Sequence, residues 1–151
     1  PMEYQQQLGD VIDVYLKVQT DFAADTDNQP MAVAILDNLK KLDLALLPID
    51  AQEIWMDHGP DLMAAAKNFA EAKELEARRK LLEPLTQALV PILDPFGYSR
   101  EGGAVGIFHC PMALDDVGAD WLQEEATTAN PYYGSGMLRC GSRTKILELG
   151  N

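Results

Sequence analysis

The chain has 151 residues, of which 47% are hydrophobic and 24% charged, and its formal net charge at pH 7 is -12. Nucleic-acid binding and docking to an anionic membrane through a basic patch both depend on Lys and Arg, so this acidic balance argues against them. The length indicates one domain that buries enough surface to fold without a structural metal. No apolar run approaches the roughly 20 residues of a membrane-spanning helix, so we expect no membrane insertion of this segment.

The first part of the chain, residues 1–94, predicts an antiparallel four-helix bundle. Apolar residues recur there at helical spacing and are interrupted by short turn signals. The predicted helices span residues 3–23, 30–46, 50–70 and 72–93. We expect Gly59-Pro60 to break the third helix, and Pro84 and Pro91 to kink or shorten the fourth, because proline removes a backbone donor and crowds the preceding turn.

A run of charged residues lies between positions 71 and 80. Glu74 with Arg78, and Glu76 with Lys80, have the i, i+4 spacing at which opposite charges meet on a helix surface. This pattern predicts a solvated helix face without a further role.

The last part, residues 95–151, holds both cysteines and most of the glycines. Strands are predicted at 104–108 and near 145–149, and the aromatic residues among the turns favour an ordered cap over a solvated tail. Asp115, Asp116 and Asp120 lack the pattern of a calcium-binding loop, so we interpret them as turn residues. The predicted fold class is therefore mainly α: a single domain, 1–151, in which the four-helix bundle carries a C-terminal, loop-rich cap with one or two short strands.

Two short clusters in the cap suggest a chemistry. One is His109-Cys110-Pro111-Met112, and the other is the segment 130–141, which contains Met137 and Cys140. Each cluster pairs one Cys with one Met in a loop rich in Gly or Pro. Thiolate and thioether are soft ligands that favour Cu(I) over zinc, calcium or magnesium. The spacing therefore predicts a Cys2Met2 site for Cu(I), with His109 as an extra or exchanging ligand.

Alternatives to the copper site remain open. Cys110 and Cys140 can instead form a disulfide, worth about 3 to 4 kcal/mol in the loop-entropy model, that staples a protein-interaction domain without metal. A copper redox or electron-transfer centre would need a second histidine, and His58 is the one the sequence offers besides His109. Structural zinc would require every Cys and His of the chain. Nucleophilic catalysis by a cysteine needs a histidine that is separate from it in the chain. His109 directly precedes Cys110, which leaves only His58, so we expect no enzyme.

Several segments carry a resemblance to a known family. In the cap they are Phe108-His109-Cys110-Pro111-Met112-Ala113, Gly118-Ala119-Asp120-Trp121-Leu122, and Asn130-Pro131-Tyr132-Tyr133-Gly134 followed by Met137-Leu138-Arg139-Cys140-Gly141. In the helical part, Glu76-Ala77-Arg78-Arg79 ahead of Leu85-Thr86 is similar to an Arg-containing helix of the family. The chain resembles a domain of unknown function found at the C-terminal end of periplasmic adaptor (membrane-fusion) subunits of copper and silver efflux pumps, and also as a stand-alone exported protein.

The resemblance implies heavy-metal handling in the periplasm, with copper first. Carried over to this sequence, Cys110, Met112, Met137 and Cys140 become the expected ligands, and His109 comes next. The implied function is to bind Cu(I), or Ag(I), and to hand it to a copper or silver efflux adaptor or to a periplasmic copper carrier.

Overall fold

The computed structural model describes residues 3–150 and contains four long helices. They are α1 (Glu3–Ala23), α2 (Gln29–Lys40), α3 (Ile49–Glu71) and α4 (Leu75–Phe96). The four predicted helices are confirmed, but α2 ends earlier than expected and a short 3-10 turn, Leu44–Leu46, follows it. Within residues 3–150, no helix is both long and apolar enough to span a bilayer.

The helices pack in chain order, α1 on α2, α2 on α3 and α3 on α4, and α1 also contacts α4. Each contributes an apolar stripe to one core, where Leu8, Ile12, Ile35, Leu62, Leu82 and Leu89 are fully buried. The start of α2 is fixed by Asn28, whose side-chain oxygen accepts the Met31 backbone N–H at 3.1 Å, with Pro30 in the first turn. The expected four-helix arrangement is therefore present.

The expected break at Pro60 and the expected shortening of the fourth helix are wrong. Helix α3 continues through Pro60, and α4 continues through Pro84, Pro91 and Pro95 to Phe96. A proline inside a helix costs about 3 kcal/mol. Helix α4 offsets this cost by burying its apolar side completely, at Leu82, Leu85, Leu89, Ile92 and Leu93.

A three-stranded antiparallel sheet follows the helices. Its strands are β1 (Val105–Cys110), β2 (Ala119–Gln123) and β3 (Ser142–Leu147), in the order β2-β1-β3. The sheet meets the bundle through β2, which packs on α4 and α1. The predicted fold class is confirmed, with one strand more than expected. The missed strand is β2, a five-residue segment whose Asp120 we had assigned to a turn; Asp120 instead pairs with His109 of β1.

Candidate functional site

The two cysteines meet at one end of the sheet. Cys110 is the last residue of β1, and Cys140 lies two residues before β3, whose Ser142 is in register with His109. The pairing of β1 with β3 therefore brings the two cysteines side by side. Their Cα atoms are 5.8 Å apart and they form a disulfide. Cys110 is fully buried, whereas Cys140 is only partly buried.

An aromatic cluster covers the inner side of the cysteine pair. Trp121 of β2 is fully buried and stacks on Phe108 of β1 with 5.6 Å between ring centroids, while Tyr132 meets it edge-on at 6.1 Å. Gly141 has φ +112, and a Cβ there would lie 2.7 Å from Trp121 Cη2 and 3.3 Å from Cys110 Cβ. A glycine is required at this position because a larger residue would push the segment of Cys140 away from β1.

Asn130 fixes the loop that carries Cys140. It is fully buried, and its side-chain N–H donates to the Cys140 carbonyl at 2.9 Å. Its side-chain oxygen accepts the backbone N–H groups of Tyr132 at 2.8 Å and Tyr133 at 3.1 Å. The backbone N–H of Asn130 also donates to the Leu138 carbonyl at 2.8 Å. The side chain and backbone of Asn130 therefore connect the start of the 130–140 loop to its end.

The two methionines of the predicted site flank the cysteine pair at the surface. Met112 is 44% exposed and Met137 is 36% exposed. The Met137 carbonyl accepts the Cys140 backbone N–H at 3.1 Å, and the Met112 carbonyl accepts the Tyr133 hydroxyl. The Tyr133 bond ties the loop after β1 to the loop before β3. All four sulfur-bearing residues therefore belong to two linked loops at the same end of the sheet.

His109 has a partner away from the cysteine pair. Neighbouring residues of a strand point to opposite faces of the sheet, so His109 and Cys110 face opposite ways. The His109 Nδ1 lies 2.6 Å from Asp120 Oδ1, directly across on β2. Asp120 is itself held by α4, since its backbone N–H donates to Glu83 and its carboxylate accepts from Gln87. His109 as a ligand stays a prediction, and in this form of the protein it is held by a carboxylate.

His58 lies apart from the cap. It is exposed in the interior of α3, which continues past it to Glu71. It borders a shallow surface pocket together with Asp61 and Gln87.

The helical bundle anchors the 130–140 loop through one arginine. Arg79 of α4 donates to the Pro131 carbonyl at 2.9 Å, to the Phe22 carbonyl at 2.6 Å and to the Asp25 carboxylate at 2.9 Å. The Asp25 carboxylate in turn accepts the Ser135 backbone N–H. Hydrogen bonds from Ser135 and the Arg79 guanidinium lower the pKa of Asp25. The loop is thus held by the turn between α1 and α2 as well as by its own bonds.

The expected solvated face at residues 71–80 is wrong at its two arginines. Arg78 is fully buried and Arg79 is 6% exposed. Arg78 donates to Asp27 at 2.8 Å and to the carbonyls of Phe69, Ala70 and Ala72 near the end of α3. The i, i+4 spacing between Glu74 and Arg78 was therefore a wrong criterion for predicting that Arg78 is exposed. Helical spacing puts Arg78 in the same stripe as Leu82, Leu85 and Leu89, and that signal was present in the sequence.

A buried hydroxyl network joins the bundle to the sheet. Tyr15 of α1 bonds Thr86 of α4 at 2.8 Å and accepts the backbone N–H of Leu122 at 3.1 Å. The Tyr132 hydroxyl donates to the Asp120 carbonyl. Burial raises the pKa of both tyrosines well above the usual value, so both stay neutral. The network holds β2, and with it Trp121, against the helices.

The side-chain donors near the cysteine pair determine which ions could bind there. Among residues 3–150, no group of three or more His, Cys, Asp or Glu side chains is placed to hold a metal. Two thiolates, formed by reducing the disulfide, together with two thioethers would be a donor set for Cu(I) or Ag(I). The sequence singled out these four residues but missed Asn130, Asp25 and Arg79, which position their loops.

Comparison with known proteins gives one match. A family model described as "Protein of unknown function (DUF3347)" matches residues 11–101. No curated protein and no solved structure matches the chain. The matched residues cover most of α1, all of α2 to α4 and the following turn. They include Arg78 and Arg79 but stop short of the sheet and the two cysteines.

Proposed function

We propose a function for this chain, which belongs to the family of proteins of unknown function designated DUF3347. It is a binding module, not a catalyst, that takes up Cu(I), or Ag(I), in its reduced form and passes the ion to a partner. The ligands are the two thiolates and two thioethers of Cys110, Cys140, Met112 and Met137. The ion is cargo in this scheme, and the helical bundle is the scaffold that holds the ligand loops.

The proposal rests on the placement of two adjacent cysteines and two exposed methionines on two segments that a hydrogen bond links. The cysteines are already adjacent, with 5.8 Å between their Cα atoms, so the thiols remain neighbours after reduction. Each methionine is close to one cysteine in the chain and is partly exposed. Core packing is a sufficient reason for a buried methionine, but it does not account for two exposed methionines beside the same pair of cysteines.

Reduction of the disulfide and binding of Cu(I) can be written so that electrons, protons and charges balance. A dithiol reductant supplies two electrons and two protons, which convert the disulfide to two thiols while the reductant becomes a disulfide. Cu(I) then displaces both thiol protons, and the two thiolates with the monovalent ion carry one net negative charge. Thioethers add no charge, so Met112 and Met137 complete the coordination without increasing the repulsion from an acidic protein. Because protons compete for the thiolates, affinity falls as pH falls.

The periplasm is the proposed compartment, and the proposed partner is a copper or silver efflux adaptor or a periplasmic copper carrier. Two observations support this. The Cys110–Cys140 disulfide is of a kind that persists in oxidising compartments. The cap motifs also resemble the domain found in such adaptors. The partly exposed thioethers are the ligands that would leave first in an exchange with an acceptor.

The experiment is an anaerobic titration of the fully reduced protein with Cu(I) against a coloured chelator of known affinity. We expect one equivalent to be held by the wild type and lost by both Cys110→Ser and Cys140→Ser. Met112→Leu and Met137→Leu should each weaken binding by about tenfold, roughly 1.4 kcal/mol. The matched control is Met56→Leu, because Met56 is 74% exposed on α3 and belongs to neither loop. No competition with the chelator would overturn the proposal.

A second candidate, the disulfide-stapled interaction domain, also has support. The Cys110–Cys140 bond closes a loop with a sequence separation of 30. If the reduced protein does not hold Cu(I), this candidate becomes the better account. Reduction should then lower the free energy of unfolding by about 3 to 4 kcal/mol. The copper electron-transfer centre has no such support, because His109 is bonded to Asp120 and His58 lies on α3.

A further inference from the structure

We infer that thiol–disulfide exchange enters the Cys110–Cys140 bond at Cys140. An incoming thiolate attacks Cys140, which carries the mixed disulfide, and Cys110 is the leaving group. Cys140 is thus an S-thiolation site, and its ligand is a thiol reductant. This inference rests on the surroundings of the disulfide and holds whether or not the reduced protein binds copper.

The two cysteines differ in burial. Cys110 is fully buried in β1, the central strand of the sheet. Its neighbours on the inner side are Gly141 and the ring of Trp121, which is also fully buried. A thiolate attacks a disulfide along the line of the sulfur–sulfur bond, from beyond the sulfur that it attacks. Attack on Cys110 would therefore require a path through the protein, whereas Cys140 is only partly buried.

The segment around Cys140 lies at the surface. Met137 and Arg139 are exposed, and Arg139 directly precedes Cys140. Its guanidinium donates to the Thr128 carbonyl at 2.7 Å, which holds the positive charge over this loop. The positive charge of Arg139 on this surface segment favours the approach of an anionic thiolate to a protein whose net charge is -12.

The exchange has two steps. In the first, the reductant thiolate forms a sulfur–sulfur bond with Cys140 while the Cys140–Cys110 bond breaks, and Cys110 leaves as a thiolate that takes a proton from water. In the second, the other thiol of the dithiol reductant attacks its own sulfur in the mixed disulfide. This step releases Cys140 as a thiolate and oxidises the reductant to a disulfide.

The loop stays in place after the bond opens. The Asn130 side chain still bonds the Cys140 carbonyl, and the Thr128 hydroxyl still bonds the Gly141 carbonyl at 2.9 Å. Neither contact involves a sulfur atom. The two thiols therefore remain beside each other, and Cys110 can expel a monothiol from Cys140 to close the bond again.

The test uses the oxidised wild-type protein and glutathione, a monothiol that has no second thiol with which to release itself from the mixed disulfide. The reaction is quenched with acid and a maleimide, and the adduct is located by mass spectrometry after trypsin digestion. Trypsin cleaves after Arg139, so Cys110 and Cys140 fall on different peptides. We expect glutathione on Cys140 in at least tenfold excess and maleimide on Cys110. Glutathione on Cys110, or equally on both, would overturn the inference.

A second measurement compares single thiols. Cys110→Ser leaves Cys140 alone and Cys140→Ser leaves Cys110 alone, and each thiol is titrated with an aromatic disulfide reagent. We expect the Cys140 thiol to react at least tenfold faster in native protein and both to react at the same rate in denaturant. Equal native rates would contradict the inference. Neither test uses metal, so its failure is distinguishable from a failed Cu(I) titration.

Discussion

The buried Asn130 side chain donates to the Cys140 carbonyl at 2.9 Å, and this bond sets the position of the second cysteine. The same amide accepts two backbone N–H groups, so it acts as a cross-brace within the 130–140 loop. The disulfide adds a covalent link to a loop that hydrogen bonds already shape. The loop should therefore keep its form when the cysteines are reduced.

Asn130→Asp tests this brace with little change of shape. An aspartate keeps the acceptor for the Tyr132 and Tyr133 N–H groups but turns an oxygen toward the Cys140 carbonyl. We expect a loss of about 1 to 3 kcal/mol in the free energy of unfolding, the usual cost of an unsatisfied buried polar group. Urea denaturation of the oxidised protein measures it. A loss under 0.5 kcal/mol, by the same principle, would show that the bond does not hold the loop.

Gly134→Ala tests the docking of the loop on the bundle. Gly134 has φ +56, and a Cβ there would lie 2.0 Å from the Asp25 carboxylate and 2.5 Å from the Arg79 guanidinium. We expect a loss of at least about 1 to 2 kcal/mol from the left-handed backbone alone. The matched control is Gly136→Ala, where a Cβ meets nothing within 4 Å. Urea unfolding of both variants is the measurement, and equal losses would contradict the docking contact.

Arg78→Met tests the buried arginine. Removing the guanidinium leaves Asp27 and three carbonyls at the end of α3 without their donor. We expect a loss of about 3 kcal/mol or more, and Arg78→Lys should not restore it because an ammonium lacks the planar fork. Lys80→Met, at an exposed position of the same helix, should change stability by less than about 0.5 kcal/mol. Full rescue by lysine would show that charge alone is needed.

We expect the difference in stability between the wild type and Asp25→Asn to depend on pH. The pKa of Asp25 is lower in the folded protein, chiefly because of its hydrogen bonds to Ser135 and Arg79. The stability it contributes is therefore present above its unfolded pKa of 3.8 and is lost as pH falls through the lower, folded pKa. Asparagine tolerates the positive φ of this position, so the backbone is not the cause of the difference.

Urea unfolding of wild type and Asp25→Asn between pH 7 and about pH 2.5 measures this effect. The wild type should be the more stable protein at neutral pH, and the two curves should converge in the acid range. A constant difference across the whole range would mean that the Asp25 charge contributes nothing to stability.

Helical periodicity was enough to predict the bundle, because each helix buries one continuous apolar stripe. The same periodicity misled at α2, where the chain leaves the helix after Lys40 although apolar residues continue. Prolines in α4 were misread because the burial of a whole helix face outweighs the local cost of each proline. Strand β2 was missed because a five-residue segment beside Asp and Gly carries little signal of its own.

The proximity of Cys110 and Cys140 is one of the alternatives that the sequence offers, as a disulfide, whereas a shared ligand role with Met112 and Met137 stays a prediction. The residues that support their loops could not be predicted. Asn130 and Asp25 act through backbone groups distant in sequence, and such contacts leave no spacing pattern. Arg79 joins Pro131, 52 positions farther along, and only the folded chain brings them together. His109 has a strand partner because β2 exists, so missing β2 also meant missing Asp120.

Because the Tyr15 hydroxyl bonds groups in both the bundle and the sheet, we expect the two parts to be energetically coupled through it. It bonds Thr86 of α4 and accepts the N–H of Leu122 in β2, and all three groups are buried. Tyr15→Phe leaves the Leu122 N–H and the Thr86 hydroxyl short of a partner, so we expect a loss of about 1 to 3 kcal/mol in the free energy of unfolding.

Thr86→Val removes the other side of the hydroxyl pair at nearly constant volume, and it should be destabilising on its own. In the double variant the two losses should not add, because both remove the same bond, and the coupling should reach about 0.5 kcal/mol or more. Urea unfolding of the wild type, the two single variants and the double variant measures these losses and the coupling energy. Additive losses would mean that the Tyr15–Thr86 bond contributes little to the coupling between the sheet and the bundle.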